Sequence, residues 1–234
     1  MRAVGHIIRG PVGDVVKGQL GLLGGLAVCV ALRPEGLGVN HGVSYYGVHR
    51  ETFPWLAAAL LTAALFTRRA LRSAAPATPA PRPVRRLADA FTVLVAGVVF
   101  TPYTLGPVIG WVHRACGAAL YLLQLLLGWW LVAWARRDAL AVGCLLFQLG
   151  GGIVAAVYVV QDEGLLLHGE VTFQIGFALL LIRALPLVTA ARPRAGAAAA
   201  PGPDPAETRP SRPPVTGCRA PGGDRDRPPG RAAP

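Results

Sequence analysis

Six apolar blocks, separated by short polar connections, follow one another along the chain. They cover about residues 18–32, 53–67, 89–107, 112–135, 139–160 and 171–191. A hydrocarbon layer about 30 Å thick selects helices of about 20 apolar residues, because lipid leaves an open strand edge without hydrogen-bond partners. The alternation expected of a membrane barrel is absent. The pattern predicts an all-α polytopic membrane helix bundle of six transmembrane helices within residues 12–191.

Arginine is concentrated in every second connection, which predicts the orientation of the bundle, since cytoplasmic loops retain arginine. The connection after the second block and the one after the fourth, with Arg136 and Arg137, are basic. The connections after the first and fifth blocks are balanced or acidic. All five tryptophans fall near predicted helix ends, where indole prefers the headgroup boundary. We therefore expect a multi-pass protein of the cell membrane, with residues 1–11 and the C-terminus in the cytoplasm.

Two segments outside the apolar blocks have a different composition. Residues 192–234 are rich in Pro, Gly, Ala and Arg, and the stretch from Ser73 to Pro83 is rich in Ala and Pro. Such segments bury too little apolar surface to offset the entropy lost on ordering. A disordered cytoplasmic tail over 192–234 and a flexible cytoplasmic connection over 73–83 are predicted.

Composition supports the membrane class and limits the partners. The chain is 53% hydrophobic and only 15% charged, with a mean hydropathy of +0.47, which excludes an ordinary soluble domain. The formal charge of +11 does not indicate nucleic acid, since no stretch interleaves basic and aromatic residues. The four cysteines lack metal-ligand spacing. Cys29 and Cys116 would both lie toward the outer side, so a disulfide between them stays open.

Polar and aromatic residues gather at the predicted outer ends of the helices, including four of the five histidines. If the loops fold over the bundle, these side chains converge. Hydrogen bonding that caps the bundle is one interpretation, and binding of a lipid headgroup or small polar ligand by tyrosines and arginines is a second. A metal site built from the histidines and Glu170 is a third, although no HExxH spacing supports it. The candidate ligand-binding residues are Asn40, His41, Tyr45, Tyr46, His49, Arg50, His113, Arg114, His168 and Glu170.

The centres of the blocks carry almost no ionisable residue, which argues against a coupled pump. Gln124, Gln148 and Gln174 are expected to join helices by hydrogen bonds. Haem ligation is not favoured, because His113 and His168 lie too near the outer boundary. An intramembrane serine protease is not favoured either, because no GxS turn within a block is paired with an intramembrane histidine. No catalytic residue, bound metal or cofactor is predicted.

Three local patterns carry a resemblance to known proteins: residues 40–47 (NHGVSYYG), residues 113–118 (HRACGA), and Glu170 followed by Gly176 and Arg183. Over residues 12–191 the chain resembles uncharacterised bacterial six-span membrane proteins and, more distantly, the DRAM-like superfamily. The acidic-proline loop signature of the eukaryotic members is missing. The resemblance implies a six-helix bundle with an outward first loop and no established catalytic activity.

The sequence thus predicts a non-enzymatic integral membrane protein whose outer polar cluster binds a membrane lipid or a protein partner. A small-molecule transporter and a membrane-embedded metal- or haem-dependent enzyme are the alternatives. A homo-oligomer is left open.

Overall fold

The computed structural model describes residues 10–38, 41–161 and 165–198. This part of the chain is all-helical and contains no strand, which confirms the predicted all-α class. The six α-helices are α1 (Pro11–Leu32), α2 (Phe53–Ala74), α3 (Pro81–Phe100), α4 (Pro107–Trp134), α5 (Ala139–Gln161) and α6 (Leu166–Ala198). Short 3₁₀ turns occupy Pro34–Leu37, Val43–Gly47, Ala75–Ala77 and Tyr103–Leu105.

Four of these helices, α1, α4, α5 and α6, are long and apolar enough to cross a membrane. Their outward surfaces carry large apolar side chains, among them Leu20, Val108 and Leu122, each about two thirds exposed or more. A soluble domain does not leave so many large apolar side chains uncovered. The described residues therefore form a membrane-type helical fold.

Proline and glycine mark the helix boundaries. The first turns of α1, α2, α3 and α4 each contain a proline, whose fixed φ suits a position where no intrahelical N–H bond is needed. Gly106, with φ of 128°, reverses the chain before α4 in a conformation that other residues rarely adopt. The helix α3 ends at Phe100, before the predicted 107, because Pro102 disfavours helical backbone at Thr101.

The predicted flexible connection over residues 73–83 was wrong. The helix α2 continues through Ala74, a 3₁₀ turn follows, and α3 already begins at Pro81. Ala74 and Ala75 are completely or almost completely buried, so small side chains let the two helices meet closely at this turn. Within the predicted tail, α6 continues to Ala198, and residues 199–234 lie outside the described residues.

Glycine seams join two pairs of helices. A Cβ atom on Gly151 of α5 would lie 2.4 Å from the backbone nitrogen of Phe173 in α6, and one on Gly169 would lie 2.5 Å from that of Ala155. Between α1 and α2, a Cβ atom on Gly25 would lie 2.4 Å from the Cβ atom of Ala59. Close backbone approach of this kind is the usual basis of helix association in lipid.

The amides of Gln124 and Gln148 are completely buried, yet no atom of either side chain has a hydrogen-bond partner among the described residues. The prediction that they join helices by hydrogen bonds was wrong for these two. Gly128 and Gly176 lie against Gln148, and neither carries a side-chain donor or acceptor.

Four ion pairs lie at one end of the described bundle, which we call the arginine end: the start of α1, the α2–α3 turn and the α4–α5 turn. Asp14 pairs with Arg69, and Asp89 pairs with Arg68 and Arg72, at nitrogen–oxygen distances of 3.2, 2.6 and 3.2 Å. Asp138 accepts two hydrogen bonds from Arg183, of 2.9 and 2.8 Å, and caps α5 through the Ala141 amide. The Arg183 guanidinium holds the pKa of Asp138 at about 2.

Candidate functional site

The opposite end of the bundle carries the cap, defined here as residues 41–52 between α1 and α2. Arg33, at the end of α1, forms ion pairs with Glu51 of the cap and with Glu35, the latter at 3.0 Å. The Thr52 hydroxyl is buried and donates a hydrogen bond of 2.6 Å to the Tyr46 carbonyl. These contacts fold the connection back onto the helices that it joins.

The cap docks on the start of α6. The Leu167 amide donates to the His41 carbonyl at 3.0 Å, and the Val43 amide donates to Oε2 of Glu170 at 2.6 Å. A Cβ atom on Gly42 would lie 2.8 Å from a methyl group of Leu166 and 2.9 Å from the same carboxylate oxygen. Glu170 therefore fixes the cap, and a side chain at position 42 would have to displace the Leu166 side chain or the Glu170 carboxylate.

Aromatic rings form the body of the cap. The Tyr45 ring stacks on His41 with centroids 4.2 Å apart and meets His49 edge-on at 4.6 Å. The Tyr46 ring is completely buried against Gly36, and burial raises the pKa of its hydroxyl. The cap is thus a packed unit in which His41 and His49 make ring contacts.

Ser44 of the cap contacts His113 of α4. The Ser44 Oγ lies 2.9 Å from Nε2 of His113, near the start of α4, and Nδ1 of that ring lies 3.1 Å from the Val98 carbonyl of α3. A carbonyl oxygen only accepts, so Nδ1 of the ring carries the proton that is donated to Val98. In the neutral ring, Nε2 is then the acceptor, and the Ser44 hydroxyl is the donor.

An apolar cavity lies beside this pair. Its volume is about 30 Å³, and it opens into a recess of about 370 Å³ that includes open solvent. Ser44 and His113 supply the polar side chains of its wall together with Tyr103. The remaining lining residues come from the cap, α2 and the end of α3: Val43, Gly47, Val48, Phe53, Leu56, Ala57, Leu60, Val98, Val99 and Pro102.

A second cavity of about 260 Å³ adjoins the first at the start of α4. Its wall includes Tyr103, which also lines the first cavity, and the exposed side chains of Trp111 and Arg114. The Arg114 guanidinium lies 6.0 Å from the centroid of the Trp111 ring. A guanidinium over an exposed indole is well placed for an anionic group at the membrane boundary.

The structure brings most of the predicted site residues to this end of the molecule. His41, Tyr45, Tyr46 and His49 form the cap, while Glu170 holds it. His113 and Arg114 line the two cavities.

Three predicted residues lie apart from these contacts. Arg50 and His168 are exposed and have no polar partner within the described ranges, and Asn40 lies outside those ranges. The described residues contain no group of three or more His, Cys, Asp or Glu side chains that could hold a metal. The geometry therefore gives the metal interpretation no support.

The disulfide left open by the sequence is not formed. Cys29 is a buried free thiol at 3.5 Å from the Thr52 carbonyl, and Cys116 is a free thiol packed against Gly97 of α3. The two cysteines thus serve as small packing residues in different parts of the bundle.

Comparisons with family models, with curated proteins and with solved structures found no match to this chain. The resemblance to the DRAM-like superfamily stays a prediction.

The Ser44–His113 pair was not predicted from the sequence. The two residues are 69 positions apart, and their contact depends on the cap folding over the ends of α3 and α4. The available signal was Gly42-Val43-Ser44, a GxS turn, together with a histidine at the start of the fourth apolar block. The turn lies in a connection, whereas an intramembrane protease would need it within an apolar block.

Proposed function

We propose that this chain is a six-span membrane protein that binds a membrane lipid at its cap end, with the acyl chain lying in the open recess beside the cap and the headgroup near Arg114. The lipid class is defined by chemistry: an apolar chain joined to a polar, anionic group. Lipid binding accounts for an apolar cavity and an arginine-bearing cavity that share one wall.

Six spans require α2 and α3 to cross the bilayer with the four more apolar helices. At about 1.5 Å per residue, helices of 22 and 20 residues are about 33 and 30 Å long, which matches a bilayer core. Their arginines lie toward the arginine end, where long side chains reach the interface. Asp89 lies among them and is paired with Arg68 and Arg72.

Orientation follows from the same charges. The arginine end holds Arg68, Arg69, Arg72, Arg136 and Arg137, a concentration expected on the cytoplasmic side. The cap then faces outward, and both termini are cytoplasmic. The lipid site is proposed for the outer leaflet.

The observation that carries the proposal is the pair of adjoining cavities with Tyr103 in both walls. The first is lined mostly by aliphatic and aromatic side chains, which suit a hydrocarbon chain and offer an ion few ligands. The second carries an arginine beside an interfacial tryptophan, which suits a phosphate or other anionic headgroup.

Filling the apolar cavity is expected to remove the lipid. Ala57→Phe puts a ring into the cavity, whereas Ala58→Phe adds the same ring at the neighbouring exposed position of α2. Mass spectrometry of lipid retained by the purified proteins should show about a tenfold drop for Ala57→Phe, equivalent to about 1.4 kcal/mol of binding free energy. Lipid retention by Ala58→Phe should equal that of the parent.

Equal lipid retention by the two phenylalanine variants, both folded and monodisperse in detergent, would count against the cavity as the binding site. Absence of any tightly held lipid in the parent protein, after purification in a mild detergent, would count against lipid binding itself.

A further inference from the structure

We infer that Ser44 and His113 form a nucleophile and general base that cleave an ester-linked acyl chain. The inference rests on the proposed function, because the lipid cavity brings the ester to the pair. The substrate class is an acyl ester of a membrane lipid, and the reaction is acyl transfer to Ser44 followed by hydrolysis.

The hydrogen-bond polarity of the pair is the one that such chemistry needs. The Val98 carbonyl fixes the proton of the His113 ring on Nδ1, which leaves Nε2 to accept the Ser44 hydroxyl proton at 2.9 Å. A nucleophile, a base within hydrogen-bond reach, and a third group that orients the base are the signature of an activated serine.

The surroundings of the pair suit an acyl substrate. Ser44 and His113 line the apolar recess, so an ester group at the mouth of the recess would lie within reach of the serine oxygen. Both side chains are only partly buried, which leaves the serine reachable from the recess. Glu170 fixes Val43, the neighbour of the serine, and the Tyr103 ring lies 5.8 Å from the His113 ring. The pair is therefore held in place from both sides.

Besides the ester, the reaction consumes only water. The Ser44 Oγ attacks the ester carbonyl carbon while Nε2 of His113 takes the hydroxyl proton. The bond from that carbon to the alcohol oxygen then breaks, and His113 returns the proton to the departing oxygen. Water, deprotonated by the same nitrogen, attacks the acyl ester on Ser44. A carboxylic acid is released, and the serine hydroxyl is restored.

An alkyl fluorophosphonate tests the pair directly on the full chain in detergent or nanodiscs. The serine oxygen displaces fluoride from phosphorus, so a covalent adduct reports an activated hydroxyl. Peptide mass spectrometry should find the adduct on Ser44 and none on Ser73, whose hydroxyl donates to the Ala70 carbonyl. The variant His113→Gln keeps an acceptor for Ser44 but removes the base, so labelling should slow by about 100-fold or more.

The outcomes separate this inference from lipid binding. An adduct on Ser44 of a parent protein that also retains lipid, with slowed labelling of His113→Gln, supports acyl transfer at the lipid site. Tightly bound lipid with no adduct on Ser44, or labelling of His113→Gln at the parental rate, overturns acyl transfer and leaves lipid binding standing. An adduct on Ser44 in a protein that retains no lipid overturns the proposed binding function instead.

Discussion

Replacing Gly151 with alanine is expected to destabilise the bundle more than any other single-methyl change in α5. The added Cβ atom would lie 2.4 Å from the Phe173 nitrogen and 2.9 Å from the Gly169 carbonyl oxygen. Both are backbone atoms, so the two helices must move apart. Overpacking of this kind costs about 1–3 kcal/mol. The unfolding midpoint in detergent, followed by tryptophan fluorescence, should fall.

Gly150→Ala is the matched control, because it makes the same change one residue earlier on the same helix. A Cβ atom there would meet nothing within 4 Å. Alanine at such a site should leave stability unchanged or raise it by about 0.5–1 kcal/mol, since glycine is a poor helix residue. Equal midpoints for the two variants would refute the glycine seam between α5 and α6.

Removing the carboxyl group of Glu170 is expected to release the cap from α6. In Glu170→Ala, the part-buried Val43 amide loses its acceptor, which costs about 1–3 kcal/mol. Hydrogen exchange of that amide should accelerate by about 10- to 100-fold. Lipid retention should fall with it, because Val43 and Ser44 line the cavity.

Two variants separate this contact from a general effect on α6. Glu170→Gln keeps an acceptor oxygen and should recover most of the protection at Val43. His168→Ala changes an exposed side chain two residues away and should leave exchange at the parental rate. Slow exchange of Val43 in Glu170→Ala would mean that another contact holds the cap.

The helical class was predictable because apolar blocks of this length have few other solutions in lipid, and all six blocks overlap an observed helix. The ends of α2 and α3 were not. The apolar blocks are bounded by the arginines of the connection between them, whereas the observed helices α2 and α3 both include those arginines. The Arg68–Asp89 pair and buried Ala74 and Ala75 hold this turn, and such contacts between helices leave no periodic signal along the chain.

The cap residues were predictable as a group, since aromatic and histidine side chains cluster within ten residues of one connection. Their partners were not predictable. Ser44 contacts His113, and Val43 donates to Glu170 at a separation of 127 residues, only because the cap lies across three helix ends. For Gln124 and Gln148, residue type predicted hydrogen bonds that neither amide makes among the described residues. Gln148 lies against Gly128 and Gly176, which have no side-chain donor or acceptor to offer.

Cysteine labelling from one side of the membrane tests the central claim, that the cap faces the outside of the cell and the arginine end faces the cytoplasm. The exposed residues Arg50 in the cap and Arg82 at the arginine end are each replaced by cysteine, with the parent chain as background. A membrane-impermeant maleimide should add one adduct to Arg50→Cys in intact cells, and to Arg82→Cys only after permeabilisation. Labelling of Arg82→Cys from outside, or of Arg50→Cys only after permeabilisation, would contradict the proposed orientation and the outer-leaflet lipid site.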